Sequence, residues 1–227
     1  MGAISAVVLA AGRGTRLGAP QPKAYLPLHN KPILLYSLGT LSRCDLISEL
    51  IVVIHPDDTE RVRRVLEGLH KPVRVVFGGS QRQDSSRAGV RAACGDFVLI
   101  HDAARPFVSI GLIERVIAAM KSHRAAVPVV PISESVKRVS EDFIVADLER
   151  SELFGAQTPQ GFERKLVLDA LERACAQGRY FTDEASALLA MSGVRAKAVP
   201  GDEHNIKITT ARDLQLAECL LTAQAAS

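Results

Sequence analysis

Gly12, Gly14 and Gly18 place three glycines within seven residues, with Arg13 and Arg16 among them and Pro22-Lys23 close behind. Such a turn lets the backbone come close to a ligand, and its N–H groups can face phosphate oxygens. Arg13, Arg16 and Lys23 add movable positive charge, so a polyphosphate suits this stretch. The Walker A pattern is met in no register. The dinucleotide fingerprint also fits badly: the glycine after Gly12-x-Gly14 comes one residue late, at 18. No acid stands about 20 residues further on to hold a ribose. Alone, the loop fits a phosphate site or an ordinary strand-to-helix turn equally well.

Other polar clusters follow. Gly78-Gly79-Ser80-Gln81-Arg82-Gln83-Asp84-Ser85 is a second glycine turn running into a helix. His101-Asp102-Ala103-Ala104-Arg105-Pro106 closes an apolar run, and an aspartate there, beside a phosphate loop, is well placed to hold Mg²⁺. Asp102 can equally be a turn former with Arg105 as its ion-pair partner. Later come Arg150, Gln157-Thr158-Pro159-Gln160, Thr182-Asp183-Glu184 and Asn205-Ile206-Lys207-Ile208-Thr209. Arg150 reads equally as a surface residue and Thr182 as a helix cap. Lys207 interrupts an apolar segment, as a site residue or an exposed edge position does.

The elements that must position these residues alternate. Residues 4–10 form an unbroken small and β-branched run, the pattern of a strand buried on both faces. Pro32 opens a helix. Residues 50–54 form a second strand, and Asp57 and Asp58 can cap the next helix, with Val62, Val65, Leu66 and Leu69 on one face and Arg61, Arg63 and Arg64 on the other. Residues 73–77 form a third strand, 84–94 a helix and 97–100 a strand. Ser109 caps a helix over 110–121, and 125–130 is another strand. The fold class is α/β, a mostly parallel twisted sheet flanked by helices. Ligands of such sheets bind outside the carboxyl ends of the strands, where the motifs at 12–18, 78–85 and 101–106 converge.

Residues 132–152 break the rhythm. Two short alternating segments separated by Glu141-Asp142 read as a polar hairpin arm that buries little by itself and calls for a partner subunit. Helices follow at 163–175 and 183–191, the latter with Thr182 as N-cap, then a strand at 194–199. Thr210-x-x-Asp213 opens a last helix as a variant capping box. The reading is one domain over residues 1–227 with an arm at about 132–152.

Composition narrows the class. With 227 residues and 47% hydrophobic content the chain can bury one substantial core. A net charge of +3 without basic blocks argues against a general nucleic-acid binder and leaves a local anion site open. Aromatics at 4% and no Trp make stacking platforms for single strands a poor fit. Cys44, Cys94, Cys175 and Cys219 are far apart; three sit in helical patterns where small buried residues are expected, and a reducing cytosol suits them. The six histidines lack ligand spacing for zinc. The N-terminal apolar run is too short for a membrane span and lacks the basic segment of a signal peptide. A soluble cytoplasmic protein is expected.

Ala10-Ala11-Gly12-Arg13-Gly14-Thr15-Arg16-Leu17-Gly18 with Pro22-Lys23, Gly78-Gly79, His101-Asp102-Ala103-Ala104-Arg105-Pro106, Gln157-Thr158-Pro159-Gln160, Thr182-Asp183-Glu184-Ala185-Ser186 and Asn205-Ile206-Lys207 together resemble the 2-C-methyl-D-erythritol 4-phosphate cytidylyltransferases of isoprenoid synthesis. The likeness runs in order along nearly the whole chain. It implies a Rossmann-like nucleotidyltransferase domain that transfers CMP from CTP to 2-C-methyl-D-erythritol 4-phosphate and releases pyrophosphate. On that resemblance, Arg16 and Lys23 would stabilise the pentavalent phosphorus and the departing pyrophosphate. Asp102 would ligate Mg²⁺ or another divalent cation, with Ala103 among the substrate-binding positions. Backbone groups of Ala10, Ala11, Gly12 and Gly79, with the Ser85 hydroxyl, would read the cytosine edge. Arg150 and Lys207 would position the acceptor phosphate, with Arg105, Ser135, Thr158 and Thr182 around the polyol. The arm would cross to a second subunit, so that Ser135, Arg150 and Thr158 serve the neighbour's site and a homodimer is required. No nucleic acid or membrane partner is implied.

Two positions depart from the family pattern. Glu134-Ser135 stands where many relatives carry Asp-Thr, and His204 where some carry an acid. The nearest rival reading is a ribitol 5-phosphate cytidylyltransferase, from which the 182–186 segment and the double alanine at 103–104 lead away. A non-catalytic CTP sensor is disfavoured by the joint presence of Arg16, Lys23, Asp102 and Lys207.

Overall fold

The computed structural model describes residues 2–14, 21–69 and 71–226. Arg16, with the rest of 15–20, lies outside the described residues. The first half of the chain alternates as its apolar runs predict. β1 (Ile4–Leu9) leads through the glycine loop to a small ribbon, β2 (Pro27–Leu28) against β3 (Lys31–Pro32), turned by His29 and Asn30 at φ of 44° and 63°. Then come α1 (Ile33–Arg43), β4 (Glu49–Ile54), α2 (Thr59–Leu66), β5 (Val73–Phe77), α3 (Arg82–Ala92), β6 (Phe97–Asp102), α4 (Ile110–His123) and β7 (Ala125–Pro131). Ser109 caps α4 as expected, its Oγ accepting from the Leu112 N–H at 3.3 Å. Asp58 occupies the N-cap of α2, but its carboxylate turns to Arg61 at 2.5 Å.

The second half holds the arm, β8 (Lys137–Ser140) and β9 (Phe143–Asp147), then β10 (Phe154–Ala156), β11 (Gln160–Glu163), α5 (Arg164–Ala176), α6 (Glu184–Ser192), β12 (Lys197–Pro200) and α7 (Ala211–Ala226). Glu141 and Asp142 turn the arm at φ of 49° and 66°. Asp213 and Thr210 form the expected reciprocal pair at the start of α7. Asp213 Oδ2 accepts from the Thr210 N–H at 2.8 Å, and Thr210 Oγ1 from the Asp213 N–H at 3.3 Å.

Among the described residues eight strands form the main sheet. β5, β4, β1 and β6 lie side by side and parallel, with Leu9 opposite both Val53 and Asp102. β11 runs antiparallel between β6 and β7, while β7 takes β10 antiparallel and β12 parallel. The period of two sorts each central strand between two cores. Ile4, Ala6 and Val8 of β1 and Leu50, Val52 and Ile54 of β4 face α1, α2 and α4. Val7, Ile51 and Val53 face α3, α5 and α6. Leu38 and Leu112 are fully buried, and truncating either to alanine costs about 2–5 kcal/mol. A third cluster, including Leu28, Ile33, Ile208 and Ala217, docks α7.

Three sequence expectations are corrected. No strand is predicted between the arm and the following helix, yet β10 and β11 lie there. Gln160-Gly161-Phe162-Glu163 carries no β-branched residue, and a Cβ on Gly161 would come within 2.7 Å of Met120 Sδ and 2.8 Å of Val116 Cγ1. Packing against α4 therefore selects the residue that propensity disfavours. Asp183, rather than Thr182, caps α6, accepting from the Ser186 N–H at 2.8 Å. Of the cysteines only Cys44 is buried; Cys94 and Cys219 are exposed and Cys175 is half-buried. Among the described residues no helix is long and apolar enough to cross a membrane.

Candidate active site

The parallel set β5, β4, β1 and β6 opens its carboxyl ends on one rim, and the ladder carries the departing loops a residue further. Ala10 N–H donates to Val53 O at 2.7 Å, Ala103 N–H to Leu9 O at 3.1 Å, and Gly78 N–H to Ile54 O at 2.8 Å. Between these loops lies a cleft of about 720 Å³, within the range of small-ligand sites. Ala10, Ala11 and Gly12 line it from the first loop, Gly79 and Ser85 from the second, and Asp102 and Ala103 from the end of β6. Lys23 and Lys207 enter from elsewhere in the chain. At Gly78 a Cβ would meet Ser85 Oγ at 2.5 Å and Ala11 Cβ at 2.7 Å, so only glycine lets the two loops approach this closely.

Asp102 is the centre of charge. Its Oδ2 accepts from Lys207 Nζ at 2.6 Å, and its Oδ1 from Arg82 Nε and Nη2 at 3.1 and 3.0 Å. Arg82 in turn donates through Nη1 and Nη2 to Glu184 Oε1 and Oε2 at 2.8 and 3.3 Å. Burial alone would push the Asp102 carboxyl up; Arg82 and Lys207 outweigh it and hold the group far below the usual carboxylate range. Burial also works against the charge of Arg82, but Glu184 and Asp102 raise its pKa above the ordinary guanidinium value. Backbone pairing keeps Lys207 in place: Ile208 N–H donates to Ala104 O at 2.9 Å, and Ile208 is buried beside Leu26 and Leu28.

Beneath the carboxylate lies a neutral support. His101 Nε2 faces the Arg105 carbonyl at 3.1 Å, so that nitrogen carries the proton. Nδ1 then accepts from the Thr158 hydroxyl at 3.1 Å, leaving Thr158 Oγ1 to accept from the Asp102 N–H at 3.0 Å. Burial lowers the His101 pKa to about 4, which agrees with a neutral ring.

Ala10, Ala11, Gly12, Lys23, Gly79, Ser85, Asp102, Ala103 and Lys207 thus come together at the cleft. The remaining candidates stand elsewhere. Thr158 is buried under Asp102, and Thr182 is exposed outside the cleft lining. Arg105 is not the ion-pair partner of Asp102: its Nη1 and Nη2 donate to the carbonyls of Asn205 and Ala156 at 2.6 and 3.2 Å. Ser135 and Arg150 are exposed at the arm, where Arg150 Nη1 donates to Ser133 O at 2.8 Å. Arg82 and Glu184 lie within the polar clusters at 78–85 and 182–184, where sequence alone gives neither a role. An arginine opening the helix after a glycine turn at a strand end was the available signal.

Comparisons with known proteins point to a single family. The chain matches the model of the 2-C-methyl-D-erythritol 4-phosphate cytidylyltransferase family over residues 4–223. It is 40% identical over 224 residues to the 2-C-methyl-D-erythritol 4-phosphate cytidylyltransferase of Caldanaerobacter subterraneus, covering 96% of this chain and 98% of that protein. It is 38% identical over 222 residues to the bifunctional enzyme IspD/IspF of Chelativorans sp., covering 95% of this chain and 54% of that protein. The chain therefore spans about half the length of such bifunctional relatives. Among solved structures, the 4-diphosphocytidyl-2C-methyl-D-erythritol synthase of Anaerococcus prevotii superposes with a TM-score of 0.87 at 32% identity, covering 97% of this chain and 96% of that one. The 2-C-methyl-D-erythritol 4-phosphate cytidylyltransferase of Francisella tularensis superposes with a TM-score of 0.81 at 31% identity, covering 96% and 99%.

Proposed function

Since the chain belongs to the 2-C-methyl-D-erythritol 4-phosphate cytidylyltransferase family, we propose that it transfers CMP from CTP to the phosphate of 2-C-methyl-D-erythritol 4-phosphate. The products are 4-diphosphocytidyl-2-C-methyl-D-erythritol and pyrophosphate. The observation that carries this reading is the meeting of Lys207 and Asp102, 105 residues apart, beside the glycine loop in one cleft.

An oxygen of the acceptor phosphate attacks the α-phosphorus of CTP, and the bond to the β-phosphate oxygen breaks on the opposite side. That oxygen leaves with the electron pair as pyrophosphate. Both reactants are anions, so the barrier consists largely of repulsion and of charge gathering on the phosphoryl oxygens. Lys23, together with Arg16, neutralises the pentavalent phosphorus and the leaving group. Lys207 and Arg150 hold the acceptor phosphate. The backbone of Ala10, Ala11, Gly12 and Gly79 and the Ser85 hydroxyl read the cytosine edge. Arg105 and Thr182, outside the cleft lining, are the residues that would reach the polyol once it is bound, and Thr158 supports Asp102 from below.

Asp102 is the one carboxylate among the described residues lining the cleft, and it is held ionised. A divalent ion such as Mg²⁺ keeps waters and takes substrate phosphates as ligands beside one or two carboxylates, and Asp102, whose oxygens accept from Lys207 and Arg82, would hold it. When bound, such an ion neutralises phosphoryl charge.

The arm supports a homodimer. Phe143 is 73% exposed and Ile144 69%, beside Val139 and Val145, more apolar surface than a two-stranded ribbon leaves bare. A second copy of the chain covers it and receives Ser135 and Arg150 at its own cleft. Widely spaced thiols and a nucleotide substrate support a cytoplasmic enzyme. The test is pyrophosphate release from CTP and Mg²⁺ with 2-C-methyl-D-erythritol 4-phosphate or ribitol 5-phosphate. Release with the first substrate is expected; release with the second alone overturns the assignment.

A further inference from the structure

Arg13 stands between two loops at the mouth of the cleft. Its Nη2 donates to Asp57 Oδ2 at 2.7 Å and lies 3.2 Å from His55 Nε2. His55 Nδ1 accepts from the Asp57 backbone N–H at 3.2 Å and lies 3.3 Å from the same Asp57 oxygen. The three side chains close a small circuit joining the glycine loop after β1 to the turn after β4. Arg13 and His55 line the cleft, and Asp57 lies outside the lining.

The circuit is weakly held. The Arg13 side chain is 52% exposed and that of Asp57 62%, a setting in which an ion pair contributes little net stability. A polyphosphate offers the same guanidinium more charge and paired oxygens at the fork spacing it prefers. Arg13 is flanked by Gly12 and Gly14, and Gly14 already holds φ of 66°, so the loop has backbone freedom to turn its side chain inward.

We propose that Arg13 is a nucleotide-binding residue of this cleft and that Asp57 is its stand-in partner in the free enzyme, exchanged for the phosphate tail when CTP enters. His55 steadies the resting arrangement. The proposal rests on the reading of the cleft as a CTP site. It makes Asp57 a competitor of the substrate: the carboxylate weakens nucleotide binding through Arg13 and not merely through its charge near an anion site.

Calorimetric titration of the full chain with a CTP analogue bridged by methylene between the α and β phosphorus tests the exchange. Arg13→Ala is expected to weaken binding about tenfold, and Asp57→Asn to tighten it about threefold. The double variant is expected to match Arg13→Ala, because Asp57 has nothing left to withhold. An Arg13→Ala affinity equal to wild type overturns the proposal. So does a gain from Asp57→Asn that persists in the Arg13→Ala background, which is plain long-range repulsion. Wild-type protein that takes up no analogue at all overturns the CTP reading itself and is distinguishable from both.

Discussion

Glu184 holds Arg82 across 102 positions of sequence, with hydrogen bonds of 2.8 and 3.3 Å from the guanidinium to its two oxygens. Glu184 is 1% exposed, and Arg82 presents its other edge to Asp102. Helix α6, on the far side of the sheet from α1 and α4, therefore steadies the carboxylate at the cleft. Glu184→Gln removes the counter-charge and leaves the arginine with one. A loss of about 3 kcal/mol in urea unfolding is expected, together with lower turnover; an unchanged midpoint contradicts the arrangement.

Lys23→Ala and Arg16→Ala separate chemistry from folding. Each is expected to lower turnover by on the order of 10²–10³, while stability changes by about 1 kcal/mol or less. Pyrophosphate release and urea melts on the same preparations give the comparison. Parallel losses in both would assign these cations to structure.

His101 makes stability depend on pH. Its folded pKa, lowered by burial to about 4, lies below the unfolded value, so the unfolded chain binds the proton first as pH falls. Stability is therefore lost between about pH 6.5 and 4, by about 3 kcal/mol in all. His101→Gln keeps a donor for the Arg105 carbonyl and should flatten that slope while lowering stability at neutral pH. An equal slope in the variant places the effect on other groups.

Asp102 acts further into acid. Its folded pKa is depressed, so its contribution is complete above the unfolded carboxylate value and drains away as pH falls below about 5. Asp102→Asn is expected to lose this acid-range slope, with turnover down on the order of 10² or more. Urea midpoints between pH 5 and 3 show whether the slope goes.

The arm predicts complementation. Lys23→Ala and Arg150→Ala chains are each expected to be nearly inactive, yet mixing them should restore activity, since one site of a mixed pair keeps its own Lys23 and receives an intact Arg150. Absence of rescue after mixing, with dimers present by sedimentation, removes Arg150 from the neighbour's site.

Much of this was legible in sequence. β1 and β4 announce themselves because both faces are buried, and the glycine loop and Asp102 lie where parallel strands end. β11 is hidden because Gly161 is chosen by contact with Met120 and Val116 from α4, a demand that no local pattern carries. Arg82 and Glu184 were visible as letters but not as a pair, since only the packing of α3 and α6 on one face brings them together. At Thr182-Asp183 both residues are good caps, and a shift of one position decided between them. Arg105 looked like the partner of Asp102 by proximity in sequence, but its guanidinium reaches backbone carbonyls instead.

The antiparallel strand β11 has a consequence for biosynthesis. It fills the gap between β6 and β7, so residues 97–102 and 125–131 cannot be joined until residue 163 has emerged from the ribosome. The parallel strands β1, β4, β5 and β6, contiguous in residues 4–102, are available well before then. The arm at 137–147 is also extruded before the seam closes, free to meet another nascent chain while its own sheet is still open.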